Sequence, residues 1–170
     1  MKKQIIYPKF IPRLLSTTID LVLLFTVLAP IINFISKYIF LYIFYDFFIE
    51  NFIDTSSSNA LAVAVKLPEF INHVTWQKFF TYFISVFILN TILMAAYFII
   101  CWYKFGATLG KMLMCMKIVD ADSCARPSLY QFIKRFFAYI TALLGIWYIV
   151  FSKRGMAIHD RIANTVVIKS

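Results

Sequence analysis

The chain has 170 residues, 62% of them apolar, and a mean hydropathy of +0.80. Soluble domains run at about 45 to 50% apolar, so a single domain's length this rich in hydrocarbon excludes an ordinary soluble protein and implies an integral membrane protein. The net charge of +9 falls in separate segments, which makes it a topology signal and argues against a nucleic-acid partner.

The N-terminal stretch carries Lys2, Lys3, Lys9 and Arg13, and Pro12 suits the first turn of a helix, where its missing N–H is not needed. The first apolar stretch, Leu14 to Ser36, is long enough to cross a bilayer, which takes about 20 residues. It is not read as a cleaved signal sequence, because Asp20 interrupts its apolar core and no small-residue cleavage site follows. Asp20 is the one charged side chain inside the chain's long apolar stretches. A carboxylate near a membrane centre costs about 2.5 to 3.5 kcal/mol, so Asp20 needs a partner, a proton or a function. Arg13 lies on nearly the same helix face but about 10 Å away along the axis, so the partner of Asp20 is expected on another helix or in a water-filled cavity.

Pro30 is expected to kink the end of this span, and the Tyr- and Phe-rich run Tyr38 to Ile49 either to lengthen a tilted helix or, the preferred reading, to form an interfacial helix. The segment 37–78 carries Lys37, Lys66 and Lys78 against four carboxylates. It reads as an external spacer or lid with Trp76 at the membrane boundary.

The second span, Phe79 to Tyr103, ends at an aromatic and basic border, Trp102-Tyr103-Lys104. Gly106 to Lys111 lacks the spacing of a phosphate loop and is followed by Met112, so it reads as a tight turn, with Lys111 a candidate counter-charge for a carboxylate. Lys117 to Asp120 and Thr165 to Ile168 are short β-branched runs expected to pair as two strands of a small cap. Between them, Lys134 or Arg135 is a candidate to turn inward toward Asp20.

The third apolar segment, Phe136 to Phe151, is short for a full crossing. A full span would also carry the basic C-terminal run outside, against the positive-inside rule. A re-entrant hairpin turning at Ala142 to Gly145 is therefore preferred to a third span. His159-Asp160-Arg161 has no activated nucleophile beside it. Asp160 is expected to cap a helix or pair with Arg13, Arg135 or Arg154, and neighbours such as His159 and Asp160 are not expected to face each other on a helix. His73 and His159 are not expected to share a metal. Cys101, Cys115 and Cys124 form no CxxC and read as reduced structural thiols.

The ordered set Arg13-Leu-Leu, Ile19-Asp20, Thr108-Leu-Gly-Lys111, Lys117-Ile-Val-Asp120 and His159-Asp160-Arg161-Ile-Ala-Asn-Thr165 resembles the RDD family of small membrane proteins. The family is named for an arginine, an aspartate in the first helix and a further aspartate, which fall here at Arg13, Asp20 and Asp160. Cys124 and Ala125 stand where a glycine is expected in the turn after the first strand. The resemblance implies a bacterial cytoplasmic-membrane protein of a kind often suspected of transport.

The fold expected is an all-α membrane protein forming one domain over residues 1–170. It has spans at about 14–36 and 79–103, a third hydrophobic segment at about 136–151 and an external loop at about 37–78. A small cytoplasmic cap of two short strands completes it, with the N-terminus cytoplasmic. No enzyme, cofactor or metal is expected. Two functions follow from Arg13, Asp20 and Asp160, with Lys111, Arg135, His159 and Arg161 in support. One is a transporter, or transporter subunit, for a small cation or proton, with Asp20 as its titratable carboxylate, Arg13 tuning it and Asp160 restraining Arg13. It implies a homo-oligomer or another membrane protein as partner, because two spans enclose no pathway. The other is a non-transporting scaffold or assembly protein in which the same residues form an ion-pair network.

Overall fold

The structure, a computed structural model, describes residues 6–57, 59–139 and 156–169. The first apolar stretch forms helix α1, Phe10–Ile43, 34 residues long. Pro12 falls in its first turn, as expected, but the helix runs on past Ser36, and Pro30 lies inside it. A proline removes one hydrogen bond of the ladder, yet no glycine follows it until Gly106, so nothing in the local sequence stops the helix at Pro30. Tyr38 to Ile43 thus extends α1, and only Tyr45–Glu50 forms a separate helix, α2. Two further short helices, α3 (Ala60–Lys66) and α4 (Phe70–His73), precede the long apolar helix α5, Trp76–Phe105. The stretch 37–78, expected to be helical at Tyr38 to Ile49, is therefore helical along most of its length.

The chain divides into two compact units, residues 26–93 and the remainder. The first has an aromatic core: Leu41, Phe44, Phe47, Phe48, Ala60 and Ala64 are buried together. The Phe70 ring lies 5.3 Å from that of Phe44 and 5.2 Å from that of Phe47, within the range of favourable ring pairing. This is the reason the short helices form. A helix of four to seven residues is unstable alone and is held by the face it buries. Lys78 pairs with Asp46 at 3.6 Å and His73 with Glu50 at 3.3 Å, both at the surface.

The second unit carries the two-stranded sheet. Helix α5 ends at Gly106, which takes a positive φ of 72° and donates its N–H to the Trp102 carbonyl, a glycine stop with no side chain to clash. Helix α6 (Leu109–Leu113) and strand β1 (Met116–Asp120) follow, then helix α7 (Leu129–Ala138), helix α8 (Ile158–Ile162) and strand β2 (Thr165–Lys169). The strands pair antiparallel, with Met116 opposite Lys169 and Asp120 opposite Thr165. Cys124, where a glycine was expected, adopts φ 55° in the turn after β1.

Helix α7 opens on a capping box: Ser128 accepts from the Gln131 N–H while Gln131 accepts from the Ser128 N–H. It buries Phe132, Arg135 and Ala138, one face at helical spacing. Phe132 joins Trp102, Met116, Ile118 and Val167 in the core beneath the sheet. A two-stranded sheet is marginal by itself, and this core supplies the apolar face it needs. The hairpin expected around Ala142 to Gly145, most of the third apolar segment and Arg154 lie outside the described residues.

Candidate functional site

Two buried carboxylates, Asp20 and Asp160, organise the unit that carries the sheet, each holding the start of a helix of five residues. The first turn of any helix leaves backbone N–H groups without partners inside the helix, and an anion placed there satisfies them and the positive end of the helix dipole.

Asp20 does this from α1. Its Oδ1 accepts the Gly110 N–H at 2.7 Å and the Tyr97 hydroxyl at 3.1 Å, and its Oδ2 accepts the Thr108 hydroxyl at 2.5 Å. Lys111 completes the arrangement, its Nζ 3.8 Å from Oδ2 and 3.4 Å from the Thr108 hydroxyl oxygen. Asp20, Thr108 and Lys111 are all buried. Its partners thus come from α5 and from the start of α6, on other elements as expected. The approach depends on Gly110. A Cβ there would run into the Ser16 carbonyl oxygen and come within 3.0 Å of the Asp20 carboxylate. Small residues at such a point let two backbones approach closely.

Asp160 holds its own helix. At the third position of α8 its Oδ2 accepts the Ala157 N–H at 3.0 Å. Ala157 has no side-chain acceptor to return the bond, so this is half of a capping box. The same oxygen accepts from Arg13 Nη1 at 2.6 Å, while Arg135 Nη2 lies 2.5 Å from Oδ1. The Arg135 contact is a close ion pair without hydrogen-bond alignment. His159 Nε2 lies 3.5 Å from Oδ1, so these neighbours do face each other, contrary to expectation, because the carboxylate turns back toward the helix start.

Both arginines also reach strand β2. Arg135 Nη1 donates to the Thr165 hydroxyl at 2.6 Å, and Arg13 Nη2 to the Val167 carbonyl at 3.5 Å. The Arg135 guanidinium lies over the Trp102 ring, 5.4 Å from its centre. Asp160 therefore ties α1, α7, α8 and β2 together through two cations.

Burial alone pushes the Asp160 carboxyl up, but Arg135 and Arg13 overcome it and hold the group well below the usual carboxylate range. For His159 burial is again the largest cause, lowering it to about 3 against the opposing pull of Asp160, with Arg135, Lys111 and Arg13 adding to the depression. His159 is therefore neutral at ordinary pH, its ring stacked on Tyr139 with centres 4.5 Å apart.

Arg13, Asp160, Arg135 and His159 form one cluster, while Asp20 and Lys111 form another. Arg135 turns inward, but toward Asp160, and Lys134 is exposed. Arg13 likewise binds Asp160, one of the pairings expected for that carboxylate, and not Asp20. Arg161 is exposed on α8. Tyr97, Thr108 and Gly110 are the residues missed by reading the sequence. Thr108 carried a faint signal, since a threonine just before a short helix is an ordinary cap. A backbone N–H carries none.

Among the described residues no group of three or more His, Cys, Asp and Glu is arranged to hold a metal ion. Cys101, Cys115 and Cys124 form no disulfide.

Comparison with known proteins agrees with the motif pattern. The RDD family profile matches residues 7–164. An uncharacterized protein of Rickettsia prowazekii (strain Madrid E) is 44% identical over 173 residues, covering all of both chains. No solved structure matches. The chain belongs to the RDD family.

Proposed function

We propose that this protein is a multi-pass scaffold or assembly protein of the bacterial cytoplasmic membrane, in which Arg13, Asp20 and Asp160 are structural pins. The observation that carries this reading is the saturation of Asp20, whose two oxygens accept three hydrogen bonds and face a lysine. A transport carboxylate has to offer an oxygen to an ion or release a proton to a path. Here a cation at Asp20 would have to displace the donors that begin α6.

The membrane placement rests on α1 and α5, both long and apolar enough to cross a bilayer. Their most apolar windows are only 11% and 0% buried within the protein, the reverse of a soluble core helix. The positive-inside distribution puts the N-terminus and the strand cap on the cytoplasmic side, and the rickettsial relative supports a bacterial setting. A scaffold works through contacts, so the reading implies a second copy or another membrane protein as partner, within the lipid bilayer.

The test is proton flux in sealed vesicles under sodium and potassium gradients, comparing the wild type with Asp20→Asn at matched levels. The scaffold reading predicts no flux above empty vesicles for either protein. Flux in the wild type that Asp20→Asn abolishes, with folding intact, would overturn it in favour of cation-coupled transport.

A further inference from the structure

Residues 26–93 hold a feature unconnected with the two carboxylates. A cleft of about 510 Å³ opens beside the C-terminal end of α1, within the range of small-molecule sites. Lys37, Tyr38, Tyr42 and Tyr45 line it together with Thr55 and Ser56. Among the described residues no carboxylate lines it and Lys37 makes no ion pair.

The nearby acids all have partners other than Lys37. Asp46 pairs with Lys78 and Glu50 with His73. Asp54 accepts both the N–H and the hydroxyl of Ser56. Lys37 has one weak contact, Nζ to the Ser57 carbonyl at 3.4 Å, which leaves further ammonium protons to donate. A half-buried lysine that lines a cleft with three tyrosines and Thr55 suits an anionic oxygen group attached to an apolar body.

We infer that this cleft binds a phosphate group, and that Lys37 is its charged contact. The membrane placement proposed above supplies a source, since lysine and tyrosine at the end of a spanning helix meet lipid head groups. The phosphate then belongs to an anionic phospholipid whose chains lie along the tyrosine-lined wall. A soluble phosphate would offer the same oxygens without the chains.

The experiment uses the full chain in detergent and counts retained ligand by native mass spectrometry, with phosphatidylglycerol, diacylglycerol and inorganic phosphate as probes. Lys37→Met, Lys37→Arg and Lys66→Met are compared with the wild type. Phosphatidylglycerol is expected to be retained, and Lys37→Met to weaken retention about tenfold, the order of one lost charge-assisted hydrogen bond. Lys37→Arg and Lys66→Met should retain it. Retention of inorganic phosphate alone, lost in Lys37→Met, would support the same site with a soluble source. Equal retention in Lys37→Met and wild type, or diacylglycerol held as well as phosphatidylglycerol, would overturn the inference. The carboxylate clusters are untouched by these substitutions, so this result and the flux result can fail separately.

Discussion

Asp20 accepts the backbone N–H of Gly110 at 2.7 Å across 90 positions of sequence. The bond makes a side chain of α1 the cap of α6, so the long helix and the turn leading into the sheet are held at one point. Asp20→Asn keeps the shape but presents an amide, which donates, to a shell of donors. We expect it to lose about 3 kcal/mol of stability, because Lys111 is left buried without its charge partner. The check is a denaturation midpoint in detergent. Thr108→Val, which removes one hydroxyl at similar volume, should lose about 1 to 3 kcal/mol by the same measurement.

Gly110 and Gly106 separate two roles of glycine. A Cβ at Gly110 meets backbone and the Asp20 carboxylate, whereas one at Gly106 meets nothing within 4 Å but sits at φ 72°. Gly110→Ala should therefore destabilise by about 3 kcal/mol or more, from overpacking together with the disturbed Asp20 bonds. Gly106→Ala should lose about 1 to 2 kcal/mol, the strain of a left-handed residue. Comparing accumulation and melting of the two variants checks the order.

The acid side of the stability curve should belong to His159 and Asp160. The lowered histidine means that the unfolded chain binds a proton that the folded chain refuses, so stability falls as pH drops from about 6.5 toward about 3. For Asp160, held below the usual range, the ion-pair contribution is present above the unfolded value of about 3.9 and is lost as pH falls through its folded value. The expected slope from His159 is up to about 1.4 kcal/mol per pH unit. His159→Gln should flatten the curve between about pH 6 and pH 4 and leave the acid limb of Asp160 at lower pH. Melting temperatures followed from neutral pH down to below about pH 3 read both effects.

Asp160→Asn strands two buried guanidinium groups at once. Breaking a buried pair costs about 3 to 5 kcal/mol, so this variant should fail to accumulate. Ser128→Ala, which removes only a cap of α7, should lose about 1 kcal/mol and accumulate normally. Membrane-fraction abundance distinguishes the two.

What the sequence made legible follows from chemistry that stands out against its background. Asp20 was visible because a lone charge in an apolar stretch is expensive, and the strand pair because Ile118-Val119 and Val166-Val167-Ile168 are β-branched runs beside turns. The donors to Asp20 were not visible. Tyr97 is one of ten tyrosines, and the Gly110 contribution is a backbone N–H with no residue identity. The full length of α1 was not fixed by the sequence because Pro30 was expected to kink its end, although the residues after Pro30 carry no helix-ending signal. The short helices Ala60–Lys66 and Phe70–His73 were not foreseen, because they take their stability from packing against Phe44 and Phe47, a tertiary effect that local periodicity does not record.

The central claim, that these carboxylates are structural pins, is tested most directly by a double-mutant cycle on Asp20→Asn and Lys111→Met, read as unfolding free energy in detergent. The account predicts a coupling of about 1 kcal/mol or more, with the double variant more stable than the sum of the single losses implies. Losses additive to within about 0.5 kcal/mol, or an Asp20→Asn protein as stable as the wild type, would contradict it.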